Sequence, residues 1–468
     1  MKNFFALHHP NRINISVTDE RKAWFGQFIK TFGVVFFIYL GMYLVRNNIK
    51  AATPLLVENG VITTTQMGII GLAFSITYGI GKTLMSAFVD GQNAKRMISA
   101  FLMVSAFLSL LFGIALLTNN ATTGILLALW GLNGLFQSPG GPASYSTISR
   151  WTPQTKRGRW LGFWNTSHNI GGGIAGILAL WGANHLFGGN VAGMFIFPAV
   201  IVFIIGIAGL FIGHDEPEEL GWDPAPIIFN EPQSVEDRQA ATMSKGEILK
   251  QFVLKNPWVW LLAVANVFVY IVRIGIDNWA PLYSVQALHM NNGAAVATIF
   301  YFEMGALVGS LSWGWISDLL KGRRIMVALI SIFLQFFVLH MYTVAHTETA
   351  LFIALFIMGW LVFGPQLLIG VSVVGFVPKQ ALSVSNGLTG TFAYLFGDSL
   401  AKVGLGYIAD PTAKGLHVFG TVLHGWQSTF IVMYAALVIA AILLIFVAIA
   451  EEHKIRHAAK EVQLASNK

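Results

Sequence analysis

Two arginines set into apolar stretches are the residues of this chain best placed to do chemistry. Thr31 to Val45 is a 15-residue apolar run that ends directly on Arg46, and Trp258 to Val272 is a second that ends on Arg273. Crossing a bilayer takes a helix of roughly 20 residues, so each helix must carry its arginine and several residues more. A guanidinium near the centre of a span costs about 2.5–3.5 kcal/mol, and it therefore faces a partner or a wet cavity. Asp277, four residues after Arg273, offers a structural ion pair, whereas Arg46 has no acid within a helical turn along the chain. If both arginines line one cavity, they form a permanently charged, forked clamp suited to a phosphate ester, which carries about −1.5 to −2 charges at neutral pH. Left empty, two such charges about 9 Å apart would repel by about 2 kcal/mol at an effective dielectric of about 20. That penalty disfavours return of an empty carrier and favours exchange of one phosphate-bearing anion for another.

Other polar residues lie in the apolar spans. His168 sits in the stripe Phe163-Trp164-Asn165-Thr166-Ser167-His168-Asn169, where an interhelical hydrogen bond and a substrate or proton contact fit equally well. Lys82, one turn after Tyr78, either adds charge at a cavity mouth or packs and snorkels. Asp398 and Lys402 have the i,i+4 spacing of a self-neutralising pair, and Glu303 is an acid expected to pair with a cation on another helix. Asp90 with Lys95 and Arg96, and Asp318 with Arg323 and Arg324, read as cytoplasmic latches between helices. Gly81-Lys82-Thr83 resembles the end of a nucleotide loop, but Ile76 stands where its first glycine belongs and no strand precedes it. His453 and His457 have helical metal-ligand spacing with only two ligands visible. Gly171-Gly172-Gly173 and Gly176 suit close helix packing. With no activated nucleophile, paired acids, metal site or cofactor motif, an enzyme is the least favoured reading.

The elements that must position these residues follow from composition. Of 468 residues 55% are hydrophobic and only 11% charged, against about 25% charged in a soluble domain, so the chain reads as an all-α polytopic membrane protein. Apolar runs place twelve spans near 28–53, 66–89, 97–118, 122–148, 159–183, 191–213, 257–285, 295–320, 325–346, 349–376, 384–410 and 427–450. Zero cysteines exclude disulfides and thiol chemistry. Met1 to Gln27 lacks the pattern of a secretory signal, leaving targeting to the first span. The net charge of +7 reports topology and not nucleic acid: with both termini cytoplasmic, that side receives 23 of the 29 Lys and Arg, including Arg150, Lys156, Arg157 and Arg159.

The chain also repeats itself. Tyr43-Leu44-Val45-Arg46 matches Tyr270-Ile271-Val272-Arg273 at an offset of 227, Asp90 matches Asp318 at 228, and Gln137 matches Gln366 at 229. This predicts an N-terminal six-helix half over 1–213, a cytoplasmic linker over 214–256 and a C-terminal half with its tail over 257–468. The linker holds nine acidic and four basic residues with prolines at 217, 224, 226 and 232, and from Ser244 it suggests a short amphipathic helix on the membrane surface. Parallel repeats of this kind place a substrate site at their interface near mid-membrane.

On these residues the chain resembles the organophosphate:phosphate antiporters of the major facilitator superfamily, most closely the bacterial hexose-6-phosphate members. The likeness runs from about Arg21 to Glu452 and is carried by the motifs around Arg46, Arg273 and His168 together with Phe74 to Lys82, Phe363-Gly364-Pro365-Gln366 and Gly390-Thr391-Phe392-Ala393-Tyr394. It implies a major facilitator fold in the bacterial inner membrane, working as a monomer by alternating access, with external hexose 6-phosphate entering as internal phosphate leaves. It implies that Arg46 and Arg273 bind phosphate, that His168 contributes, and that Tyr43, Tyr270 and Lys82 line the path, with Tyr78, Trp164, Asn165 and Tyr394 in the same substrate-facing set. Three positions depart from the family pattern: Asn47 replaces a Lys that follows the first arginine, while Asn386 and Thr389 replace an Asp-x-x-Lys pair tied to selectivity. Glycerol 3-phosphate, phosphoglycerate and phosphoenolpyruvate stay open as substrates for that reason. A hexose-phosphate sensor without flux and a carrier of dicarboxylate or nitrate are the competing readings.

Overall fold

The computed structural model describes residues 4–13, 16–89, 91–230, 249–320, 323–373, 376–377, 382–418 and 420–466. Along the chain come α1 (Val17–Glu58), α2 (Thr64–Val89), α3 (Ala94–Leu117), α4 (Thr123–Gln137), α5 (Gly140–Trp151), α6 (Gln154–Leu186) and α7 (Gly193–Phe211). Then follow α8 (Pro257–Gln286), α9 (Asn292–Leu319), α10 (Arg324–Thr343), α11 (Glu348–Ser372), α12 (Leu382–Phe392), α13 (Ser399–Ala409) and α14 (Trp426–Ser466). Eight of these are long and apolar enough to cross a membrane by themselves. With α2, α6 and the broken pairs α4/α5 and α12/α13, the described helices group into twelve spans, so the chain is an all-α polytopic membrane protein. It divides into two compact units, Met1–Ser234 with Ser284–Phe300, and Val235–Tyr283 with Tyr301–Lys468.

Several elements differ from the apolar-run expectation, each for a local reason. Helix α1 starts eleven residues before 28, at Val17, because Ser16 caps it by accepting from the Asp19 N–H at 3.2 Å and acids occupy its first turn. The added turns bury Trp24 and Phe28, which stack at 4.6 Å and meet Trp151, Trp160 and Phe229. The span expected over 122–148 breaks between Gln137 and Gly140, where Pro139 cannot donate a backbone hydrogen bond. The span over 384–410 contains a π-helical turn, Ala393–Asp398, between α12 and α13. Between α13 and α14 a small antiparallel hairpin pairs Leu416–Val418 with Thr421–Leu423. The start of the amphipathic helix expected from Ser244 lies outside the described residues; Leu249–Leu254 form a π-helical turn with Val253 buried.

Prolines shape the spans that carry the arginines. Pro54 in α1 and Pro281 in α8 fall at the repeat offset of 227, and each deprives the carbonyl four residues earlier, at Lys50 and at Asp277, of its helical donor. In α11, Pro365 frees the carbonyl of Leu361, which accepts instead from Ser331 Oγ at 2.6 Å. Close approach of α1 and α6 rests on Gly171, where a Cβ would sit 2.5 Å from the Leu40 carbonyl oxygen. The segment after α7 folds back on the first unit: the fully buried Asp215 carboxylate accepts from the Ala94 and Lys95 N–H groups, from Thr147 Oγ1 and from Arg150. Burial holds that carboxyl above its usual range, against the pull of Thr147 and Arg150. An extended N-terminal segment ties on at the same end through His9 to Glu216 at 2.5 Å and through Arg12 to Asp223.

Candidate functional site

Arg46 follows a local break in α1. Val45 leaves helical geometry at φ −101°, ψ 18°, and its carbonyl accepts from Asn133 Nδ2 at 3.0 Å. Asn133 also accepts from Gln137 Nε2 at 2.9 Å, and this orients Gln137 so that its Oε1 receives Arg46 Nε at 2.9 Å. Because the helix α4 stops at Gln137, the amide sits at a helix end facing the guanidinium. The guanidinium carbon also lies 4.6 Å from the Tyr43 ring centre, 5.0 Å from Phe74 and 4.6 Å from Tyr78. Cation–π attraction to these faces is worth about 0.5–2 kcal/mol each, stabilising a charge that would otherwise be costly in the span.

Helix α6 adds His168, whose ring centre is 5.3 Å from Tyr43 and 6.4 Å from Tyr39. Its Nδ1–H donates to the carbonyl of Asn165, which fixes the tautomer and directs Nε2 as the acceptor of a neutral ring. Trp164 packs on Tyr39 at 4.6 Å between ring centres, and its Nε1–H is buried with no hydrogen-bond partner among the described residues. Tyr43, Arg46, Tyr78, His168, Trp164 and Asn165 are thus brought together in the first unit. Lys82 lies on an exposed face of α2, one turn beyond Tyr78.

The second unit builds a related but different arrangement around Arg273. Gln366 Oε1 accepts from Arg273 NH1 at 2.7 Å, while Gln366 Nε2 donates to the Tyr270 hydroxyl at 3.2 Å. The guanidinium carbon stands 4.5 Å from the Phe363 ring centre and 5.4 Å from that of Tyr270, which in turn meets Tyr394 at 5.5 Å. Asp277 and Glu303 are both buried and within electrostatic reach of Arg273. Arg273 Nε is buried with no hydrogen-bond partner among the described residues, leaving a donor edge that an anion's oxygen could take.

The remaining expected positions fall elsewhere. Lys402 Nζ donates to Asp398 at 2.9 Å, with both side chains largely buried. Thr389 is buried and its carbonyl accepts from Asn266 Nδ2 at 3.3 Å, while the side chain of Asn386 lies outside the described residues. Asp90 and the side chain of Asp318 also lie outside them. Arg96 donates to the Phe4 carbonyl at 3.0 Å, Arg323 to Glu452 at 2.7 Å, and Arg324 to the Val371 carbonyl at 3.3 Å. Sequence reasoning missed Gln137 and Gln366 as the arginines' hydrogen-bond partners, although their matched offset singled them out. It also missed Phe74 and Phe363, which no spacing rule connects to an arginine on another helix.

The pattern of the Major Facilitator Superfamily matches residues 35–401 of this chain. The chain is 47% identical over 458 residues to the hexose-6-phosphate:phosphate antiporter of Escherichia coli K12, covering 97% of each protein. It is 31% identical to the glycerol-3-phosphate transporter of Bacillus subtilis 168, covering 95% of this chain and 97% of that one. Among solved structures, a bacterial homolog of the human lysosomal transporter Spinster, inward-facing and unoccupied, superposes with a TM-score of 0.66 at 15% identity. That superposition covers 90% of this chain and 96% of the other, and it speaks for the fold. The chain therefore belongs to the major facilitator superfamily of membrane transporters, and within it to the organophosphate:phosphate antiporters.

Proposed function

We propose that the protein exchanges external hexose 6-phosphate for internal inorganic phosphate by alternating access, driven by the two solute gradients. The observation that carries this reading is the repeated arginine–glutamine pair, Arg46 with Gln137 and Arg273 with Gln366, in a chain so similar to the Escherichia coli antiporter. A glutamine oxygen satisfies one edge of each guanidinium without neutralising it, so the positive charge stays available to a phosphate. Arg46 and Arg273 bind the phosphoryl group, His168 offers Nε2 as acceptor to a sugar hydroxyl, and Tyr43, Tyr78, Trp164, Asn165, Tyr270, Tyr394 and Lys82 shape the path. The protein resides in a bacterial inner membrane as a functional monomer with both termini and the 214–256 linker cytoplasmic, in keeping with the placement of Lys and Arg.

Uptake into proteoliposomes tests this directly. Labelled glucose 6-phosphate and labelled phosphate should both enter vesicles preloaded with phosphate and neither should enter empty ones. Phosphate exchange without glucose 6-phosphate entry would reassign the substrate to another organophosphate. Asn386 and Thr389, which replace the charged pair of the hexose members, and the likeness to a glycerol-3-phosphate transporter motivate that second reading. Ligand binding without flux would make the protein a sensor.

A further inference from the structure

Between Leu40 and Pro54 every residue of α1 is buried except Tyr43, Arg46 and Lys50. Their spacing, i, i+3 and i+7, places the three on one stripe of the helix. The stripe is the face that meets the site: Tyr43 touches His168, and Arg46 holds Gln137. The next two residues turn elsewhere, since Asn47 and Asn48 are buried and Asn48 Nδ2 donates to the Met194 carbonyl at 3.2 Å. Lys50 is only partly buried and lies one turn, about 6 Å of rise, beyond Arg46. Its turn is the one opened by Pro54, and its counterpart at the repeat offset of 227 is Asp277, within electrostatic reach of Arg273.

We propose that Lys50 is a substrate-contacting cation of the first half, acting with Arg46 on a doubly charged phosphate group and favouring the dianion over the monoanion. This rests on the reading that the protein exchanges phosphate-bearing anions. The chemistry of the two side chains is complementary. Arg46 presents a planar fork that matches two phosphate oxygens, and Lys50 presents a compact charge on a flexible stem that follows the remaining oxygen. A second cation gains most from a second negative charge, which a phosphate ester acquires on crossing a pKa near about 6.

The test compares wild type, Lys50→Gln and Lys50→Arg in proteoliposomes, using inorganic phosphate and glucose 6-phosphate at pH 5.5 and pH 8. For Lys50→Gln the half-saturating concentration should rise about tenfold at pH 8 and no more than about threefold at pH 5.5, and Lys50→Arg should restore most of the loss. An unchanged half-saturation at both pH values, or a fall in maximal rate alone, overturns the proposal. If wild-type vesicles fail to exchange phosphate, the functional reading fails and not the assignment of Lys50. Should Lys50→Gln not fold, lysine acylation of the wild-type protein gives a second readout. Added phosphate should slow modification of Lys50 but not of the exposed Lys414, and equal modification with and without phosphate overturns the role.

Discussion

Arg46 and Arg273 occupy matched places in the repeat and both lie against aromatic faces, and around Arg273 two buried carboxylates, Asp277 and Glu303, also stand within electrostatic reach. Each donates one hydrogen bond to a matched glutamine, at 2.9 Å and 2.7 Å respectively. The next turn of helix then diverges in sign, with Lys50 after Arg46 and Asp277 after Arg273. Glu303, within reach of Arg273, corresponds to Ser75 at the sequence offset of 228 that relates Asp90 to Asp318. The repeat keeps an arginine and its glutamine partner while the surroundings of each differ. Aromatic faces stabilise both guanidiniums, and at Arg273 the hydroxyls of Tyr270 and Tyr394 and the acids Asp277 and Glu303 add to the field.

The largest expected effect is shared by both halves and would break the comparison if it were not. Arg46→Lys and Arg273→Lys should each lower phosphate exchange at least about a hundredfold, because an ammonium cannot reproduce the bidentate fork. Near-normal flux in either variant would remove that arginine from the site. Removing the amide support separates the halves by a smaller margin. Gln137→Leu and Gln366→Leu should each raise the half-saturating phosphate concentration about tenfold, from the loss of a hydrogen bond to a charged group worth about 1.5–3 kcal/mol. Both variants break a second amide bond, but Asn133 stays held by the Val45 carbonyl whereas the Tyr270 hydroxyl beside Arg273 loses its glutamine, so Gln366→Leu should cost more; equal losses would mean that the Tyr270 bond is idle.

The sign of the field supplies a finer test. Asp277→Asn should strengthen phosphate binding about threefold by unmasking Arg273, and weaker binding measured by equilibrium titration would show that the acid positions the guanidinium instead. Smallest are the ring deletions. Phe363→Leu should reduce apparent affinity about threefold and Phe74→Leu about twofold, because Tyr43 and Tyr78 still face Arg46. The reverse order, in the same exchange assay, would mean that the rings act through packing.

Much of the fold was legible in the sequence because apolar length and the position of charged residues are one-dimensional signals. The repeat located both arginines and both glutamines. It could not show that each glutamine approaches its arginine, since α1 with α4 and α8 with α11 meet only in three dimensions. Pro139 announced a break that the apolar run over 122–148 concealed, as hydropathy is blind to a missing N–H. The pairing of Arg96 with the Phe4 carbonyl was illegible for another reason: Phe4 lies in an extended segment, and backbone acceptors carry no sequence signature.

The π-helical turn at Ala393–Asp398 winds the chain into a wider coil than the helices on either side of it. Such a turn stores one residue more than the same rise of α-helix requires, and each residue of α-helix advances the face by about 100°. The Ser399 hydroxyl fits this winding, donating at 3.2 Å to the carbonyl of Tyr394 five positions earlier. Everything from Ser399 onward, the Asp398–Lys402 bridge included, is thereby rotated out of phase with Phe392 and the residues before it. A single-residue insertion has in effect been absorbed without lengthening the span, so the clocking of Tyr394 toward Tyr270 and that of Lys402 are two separately adjustable settings of one helix.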